Sequence, residues 1–223
     1  MKVSNSTEFE KLLEAVAADA LQAQDHRKLC NDLIDARKMY SSEFAQTPTF
    51  WGLTERAHAE AVLFRLTRLY DQREDSLSLR TWLHLVKENI HFFDQRNFRQ
   101  RLKDNPHVKS LAEDARRPDP RQLDFDISSV GKSDNVVGRL LAVRNTSLAH
   151  SDPAIVLGSG SAVLKGQPLT WSDVDTLIHR AVTIVNRYSV LFRASAYASN
   201  ILGHDDYAFL LQMVQEWLLH EEV

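Results

Sequence analysis

The chain has 223 residues, 43% hydrophobic and 26% charged, enough for one substantial core. A net charge of −3 gives no global nucleic-acid signal, so any such binding must be local. One cysteine, Cys30, excludes an internal disulfide framework and a multi-cysteine zinc site, and no apolar run approaches a membrane span.

Taken in order, the opening residues Met1 to Ser6 are not followed by the apolar stretch of a signal peptide, so a soluble cytoplasmic protein is expected. Thr7 and Glu10 have capping-box spacing. Phe9, Leu12, Leu13, Val16 and Ala20, then Leu29, Leu33, Ile34 and Ala36 to Phe44, recur at helical spacing and predict a long first helix, with a bend near Gln24 to Arg27. Cys30 reads as a small core residue. After a break at Thr47-Pro48-Thr49, a second helix is expected from about Leu53 to Tyr70, and residues 71–75 form a polar turn. Ser76 or Ser78 starts a third helix with Trp82, Leu83, Val86, Ile90 and Phe93 on its core face, and Asp94 caps a short one.

Residues 96–121 are the basic part of the chain. Arg96, Arg99 and Arg101 are the candidates there for contact with a phosphate backbone, against the plainer reading of a solvated connecting face. Residues 116–120 read as a loop. Gly131-Lys132-Ser133 is not a phosphate loop, because Asp126 stands where the first glycine is required.

The organising stretch is residues 133–153, read as one helix capped by Ser133 or Asp134 and ended by Pro153. At about 100° per residue, Val136, Val137, Leu140, Leu141, Val143 and Leu148 share a wide apolar face. Arg144 lies near its middle, and Asn145 and His150 lie on its edges. An arginine there needs a carboxylate, a partner subunit or an anionic ligand. Residues 154–164, with Gly158-Ser159-Gly160-Ser161 in their middle, suit a small hairpin or flexible loop. Thr170 and Asp173 form a second capping box, opening a helix through Val174, Leu177, Ile178, Ala181, Ile184, Val185, Tyr188, Leu191 and Phe192. After Gly203, Phe209, Leu210, Met213, Trp217 and Leu218 mark a C-terminal helix that either closes the bundle or binds a partner. The expected fold is all-α: a bundle of about five to seven helices spanning residues 1–223, with 203–223 as a C-terminal appendage.

Arg144-Asn145-Thr146-Ser147-Leu148-Ala149-His150 resembles the signature of the HEPN superfamily, the higher eukaryote and prokaryote nucleotide-binding domains. Leu66 to Asp71, then Ser76 to Leu79, then Arg144 to Asp152 are similar to the abortive-infection, AbiU-like branch. The likeness covers about residues 50–200. It implies a metal-independent endoribonuclease without cofactor, acting as the toxin or effector of an abortive-infection or toxin–antitoxin system. The implied partners are RNA, a second copy of the chain and an antitoxin protein. Two Arg/His signatures would meet across a homodimer. His150 would move protons, Arg144 would stabilise the phosphorane, and Asn145 would position the phosphate or orient His150. Toxins of the superfamily that carry a tyrosine two residues after the histidine are silenced by nucleotide transfer; here that position is Asp152.

Two alternatives stand beside this. A non-catalytic HEPN interaction or nucleotide-binding module would hold Arg144 in an intrachain salt bridge and bury His150 away from any groove. A di-metal carboxylate bundle would use Glu55 with His58 and Glu88 with His91, joined by Glu43, because Glu-x-x-His is the spacing of such sites.

Overall fold

A computed structural model describes residues 1–114, 116–145, 168–198 and 205–221. His150, the helix end at Pro153, the loop at 154–164 and Gly203 lie outside the described residues. Those described contain helices and no strand: α1 Ser6–Met39, α2 Ser41–Gln46, α3 Pro48–Leu69, α4 Leu79–Glu88, a 3-10 turn Ile90–Phe93, α5 Gln95–Arg101, α6 Val108–Leu111, α7 Pro120–Ser129, α8 Asn135–Val143, α9 Trp171–Arg193 and α10 Asp206–Glu221. The all-α expectation holds, with more helices among the described residues than expected. The first predicted helix stops at Met39, and α2 restarts beyond Tyr40. The loop expected at 116–120 holds as far as Asp119, and helix α7, which the sequence pattern did not mark, follows it, because Asp119 accepts from the Gln122 N–H and Pro120 takes the first helical position, where its missing N–H costs nothing. Pro48 likewise opens α3 rather than merely breaking the chain.

The first cap also moves. The Asn5 side chain accepts from the Glu8 N–H at 2.9 Å, and the Glu8 carboxylate accepts from the Ser4 N–H at 2.8 Å. Thr7 and Glu10 have the right spacing, but Asn5 reaches the free N–H groups two residues earlier. Caps form at Ser78, one of the two serines expected, with Thr81, and at Thr170 with Asp173, whereas Asp94 stands at the start of α5 without a side-chain cap bond among the described residues.

The chain forms two compact units, residues 1–20 with 65–197 and residues 21–64 with 198–223. In the first, Phe9 is the hub of the core. Its ring lies 5.0 Å from Phe192, 5.7 Å from Phe93, 5.9 Å from Phe92 and 6.0 Å from Trp82, all tilted or edge-on. Such pairs add about 0.5–1.5 kcal/mol each beyond the area they bury. Val174, Leu177, Ile178, Ala181, Ile184, Val185, Tyr188 and Phe192 of α9 are buried as the spacing predicts. Asp126, the residue that spoiled the phosphate-loop reading, is buried and accepts from Arg187, from the Tyr188 hydroxyl at 2.8 Å and from Gln122 at 3.0 Å.

In the second unit Leu33, Ala36, Phe44, Trp51 and Leu211 form the core, with Leu29, Tyr40 and Tyr207 against it. Helix α10 packs through Leu211. Phe209, Leu210, Met213 and Trp217, expected to close the bundle or meet a partner, are each at least half exposed. The apolar arc of the helix is too wide for periodicity alone to choose its buried part. His26 and His58 face each other with Nδ1 atoms 2.8 Å apart.

Candidate functional site

Helix α8 carries the signature and is fixed from several sides. Asp134 accepts from the N–H groups of Val136 and Val137, both at 3.0 Å, and pairs with Arg180 at 3.2 Å. Burial would raise the Asp134 carboxyl. The Val137 N–H and the Arg180 guanidinium outweigh it, and the group lies below its ordinary value. Arg139 grips Asp173 of α9 with two nitrogens, at 2.5 and 3.2 Å. This fork is the first cause, ahead of the Thr170 N–H, of an Asp173 carboxyl held down to about 2. Val137 and Leu140 are buried, while Val136, Leu141 and Val143 are half-buried, so the expected wide face is buried only along its centre.

Arg144 continues the helical backbone at φ −54 and ψ −49, and its N–H donates to Leu140 and Leu141. Its guanidinium answers the question its position raised: the partner is a carboxylate. Nη1 donates to Asp71 Oδ1 at 3.0 Å, and Nε donates to the Asn145 side-chain oxygen at 3.2 Å. The arginine side chain keeps 29% of its exposure, whereas that of Asp71 keeps 11%. Nη2 has no bond to a described residue, so the fork is tethered without being used up. Asn145 is exposed beside it.

Asp71 is the residue that sequence reasoning missed, placed only in a polar turn. It follows buried Tyr70, whose hydroxyl donates to the Leu177 carbonyl at 2.7 Å. The turn folds onto itself: the Arg73 N–H and Nε donate to Asp71 at 3.2 and 3.1 Å. Gln72 then stitches it to the approach to α8, donating to the Val130 carbonyl at 3.0 Å and accepting from the Lys132 N–H at 3.1 Å. Burial pushes the Asp71 carboxyl up. The Arg73 N–H, the Arg144 and Arg73 guanidinium groups and the Ser76 hydroxyl outweigh that and leave it lowered. Two guanidinium groups therefore share one ionised carboxylate. Exposed Asp75 approaches Arg73 only to 3.8 Å.

The three basic candidates separate. Arg96 and Arg99 of α5 are exposed. Arg101 turns inward. Its two terminal nitrogens donate to the carbonyls of Phe92 and Phe192, each at 2.7 Å, and its guanidinium stacks 3.7 Å from the Phe192 ring. Burial lowers its pKa to about 10 despite nearby Glu10. Arg116 is likewise inside, over Phe98 and bonded to the Leu111 and Val190 carbonyls. Two of the eight basic side chains of this stretch, Arg101 and Arg116, thus hold the fold together.

Two residues of the di-metal alternative have other partners. Glu55 accepts from Arg37 and His58 faces His26. Helix α4 ends at Glu88, so Glu88 and His91 do not share a helical face. Among the described residues no group of three or more His, Cys, Asp or Glu side chains is arranged to hold a metal ion. No described helix is long and apolar enough to cross a membrane.

No curated protein and no solved structure matches the chain. The family model described as AbiU2, a HEPN family, matches residues 6–216, which takes in most of both units and the signature arginine. The chain belongs to the AbiU2 family of abortive-infection HEPN proteins.

Proposed function

We propose that this HEPN protein is a metal-independent endoribonuclease that works as a homodimer and serves as the toxin or effector of an abortive-infection or toxin–antitoxin system. The observation that carries the reading is the Arg144 guanidinium, aimed by Asp71 and Asn145, with Nη2 bonded to no described residue. A phosphorane gains charge on its non-bridging oxygens, and a held, permanently charged, planar donor stabilises it without reorganising. In the reaction, His150 of one copy takes the proton from the ribose 2′-hydroxyl. The 2′-oxygen bonds to phosphorus, the bond to the 5′-oxygen breaks, and His150 of the second copy protonates the leaving oxygen. The products are a 2′,3′-cyclic phosphate and a 5′-hydroxyl. Arg96 and Arg99 would hold the flanking backbone.

The same ion pair favours a second reading, a non-catalytic interaction module in which Arg144 is a structural residue. Cleavage of bulk RNA in EDTA, with product ends identified, separates the two. A nuclease gives cyclic phosphate ends that disappear in Arg144→Ala, and an interaction module gives no cleavage.

A further inference from the structure

Among the described residues, half-buried arginines have partners: Arg65 has Asp19, Arg101 has two carbonyls, Arg139 has Asp173, Arg180 has Asp134 and Arg187 has Asp126. Arg80 is different. It is half-buried near the start of α4, yet it makes no hydrogen bond or ion pair with a described residue. It lines a cavity of about 320 Å³ together with Gln72, Glu74, Thr81, His84 and Glu88. That volume lies in the range of small-molecule sites. A partly desolvated guanidinium without an acceptor is unfavourable, and an anion entering the cavity would relieve it. Arg80 and His84, four residues apart, present their side chains to the same cavity.

The two carboxylates decide which anion. Glu74 and Glu88 line the same space and would repel a bare phosphate. A ligand that suits all four groups carries negative charge at one end and hydrogen-bond donors at the other. A ribonucleotide does so: its phosphate faces Arg80 and His84, and its ribose hydroxyls or base N–H groups face Glu74 and Glu88. Gln72, which lines the cavity, stands in the chain between Asp71, which holds Arg144, and Arg73, which bonds the same carboxylate. We infer that this cavity is a nucleotide subsite that seats the RNA residue next to the phosphate held by Arg144. The inference rests on the ribonuclease reading for the identity of the strand, while the nucleotide chemistry stands on the cavity itself.

Binding of a short mixed-sequence single-stranded RNA, of adenosine and guanosine 5′-monophosphate and of inorganic phosphate should be measured on the full chain, beside Arg80→Gln and Arg80→Lys. Arg80→Gln should weaken the RNA on the order of tenfold, the loss of one charge-assisted bond. Arg80→Lys should restore part of it, and neither variant should change the melting temperature. Arg80-dependent binding of the monophosphates without RNA cleavage would keep the subsite, as a site for a free nucleotide, and remove the nuclease. RNA cleavage with binding, KM and kcat untouched in Arg80→Gln would keep the nuclease and overturn the subsite. Inorganic phosphate binding as tightly as the monophosphates would also overturn it.

Discussion

Arg144 Nη1 stands 3.0 Å from Asp71 Oδ1, joining the signature helix to a turn 73 residues earlier. The contact sets the direction of the guanidinium, and its energetics differ from those of an isolated buried pair. Removing one partner of such a pair costs about 3–5 kcal/mol, because the other charge is left bare. Here Asp71 would keep the Arg73 N–H and Nε as donors.

Arg144→Ala should therefore lower stability by about 1 kcal/mol or less, while abolishing cleavage. Asp71→Asn keeps the shape of the turn but loosens the arginine. It should lower kcat on the order of tenfold with little change in KM, which is the mark of a positioning residue. Equal losses of melting temperature and activity in both variants would make the pair purely structural.

The Arg139–Asp173 fork predicts an acid limb of stability. The Asp173 carboxyl is at about 2 in the folded chain, against about 3.9 when unfolded. A depressed folded value means the contribution is fully present above about pH 4 and disappears as pH falls towards 2. The lowered Asp71 and Asp134 carboxyls act with the same sign. Melting temperature should fall steeply below about pH 4, and Arg139→Gln should flatten that slope; an unchanged slope would remove the fork as its source.

The basic stretch divides into surface and core. Arg96→Gln with Arg99→Gln should weaken RNA binding at unchanged melting temperature, and should reduce the salt dependence by about one counterion per lost contact. Arg101→Gln should instead lower the melting temperature, since it frees two carbonyls and unstacks Phe192. If the surface pair leaves affinity and salt slope unchanged, it is a solvated face.

What the sequence revealed follows from range. A cap at Ser76 or Ser78, at Ser133 or Asp134, and at Thr170 with Asp173 was legible because a cap needs only its next three residues; the fold takes Ser78, Asp134 and Thr170. The buried face of α9 was legible because it is polar on the other side, whereas the apolar arc of α10 is too wide to say which part of it is buried. Helix α7 hid behind two prolines, although Asp119 followed by Pro120 is a helix start. The need for a partner at Arg144 was visible, but its identity was not, because no local pattern links it to Asp71. Charge alone did not separate Arg101 from Arg96 and Arg99. The separating signal was its place three residues after Phe98, on the inward side of α5.

A composite site requires two copies. Light scattering at micromolar concentration should report about twice the 25.5 kDa of one chain. A monomer throughout that range would remove the arrangement in which each His150 has a different task.

The central claim is that Arg144 and His150 act on RNA. It is tested most directly by incubating bulk RNA in EDTA with the wild-type chain, Arg144→Ala, Arg144→Lys and His150→Ala, and following product ends and melting temperature on the same samples. The wild type should give 2′,3′-cyclic phosphate ends. His150→Ala should lose at least about 10²-fold, and Arg144→Ala a comparable factor. Arg144→Lys should recover only part, since an ammonium keeps the charge but not the fork, and all three should melt near the wild type. Full activity in His150→Ala, together with a collapsed melt in Arg144→Ala, would contradict it.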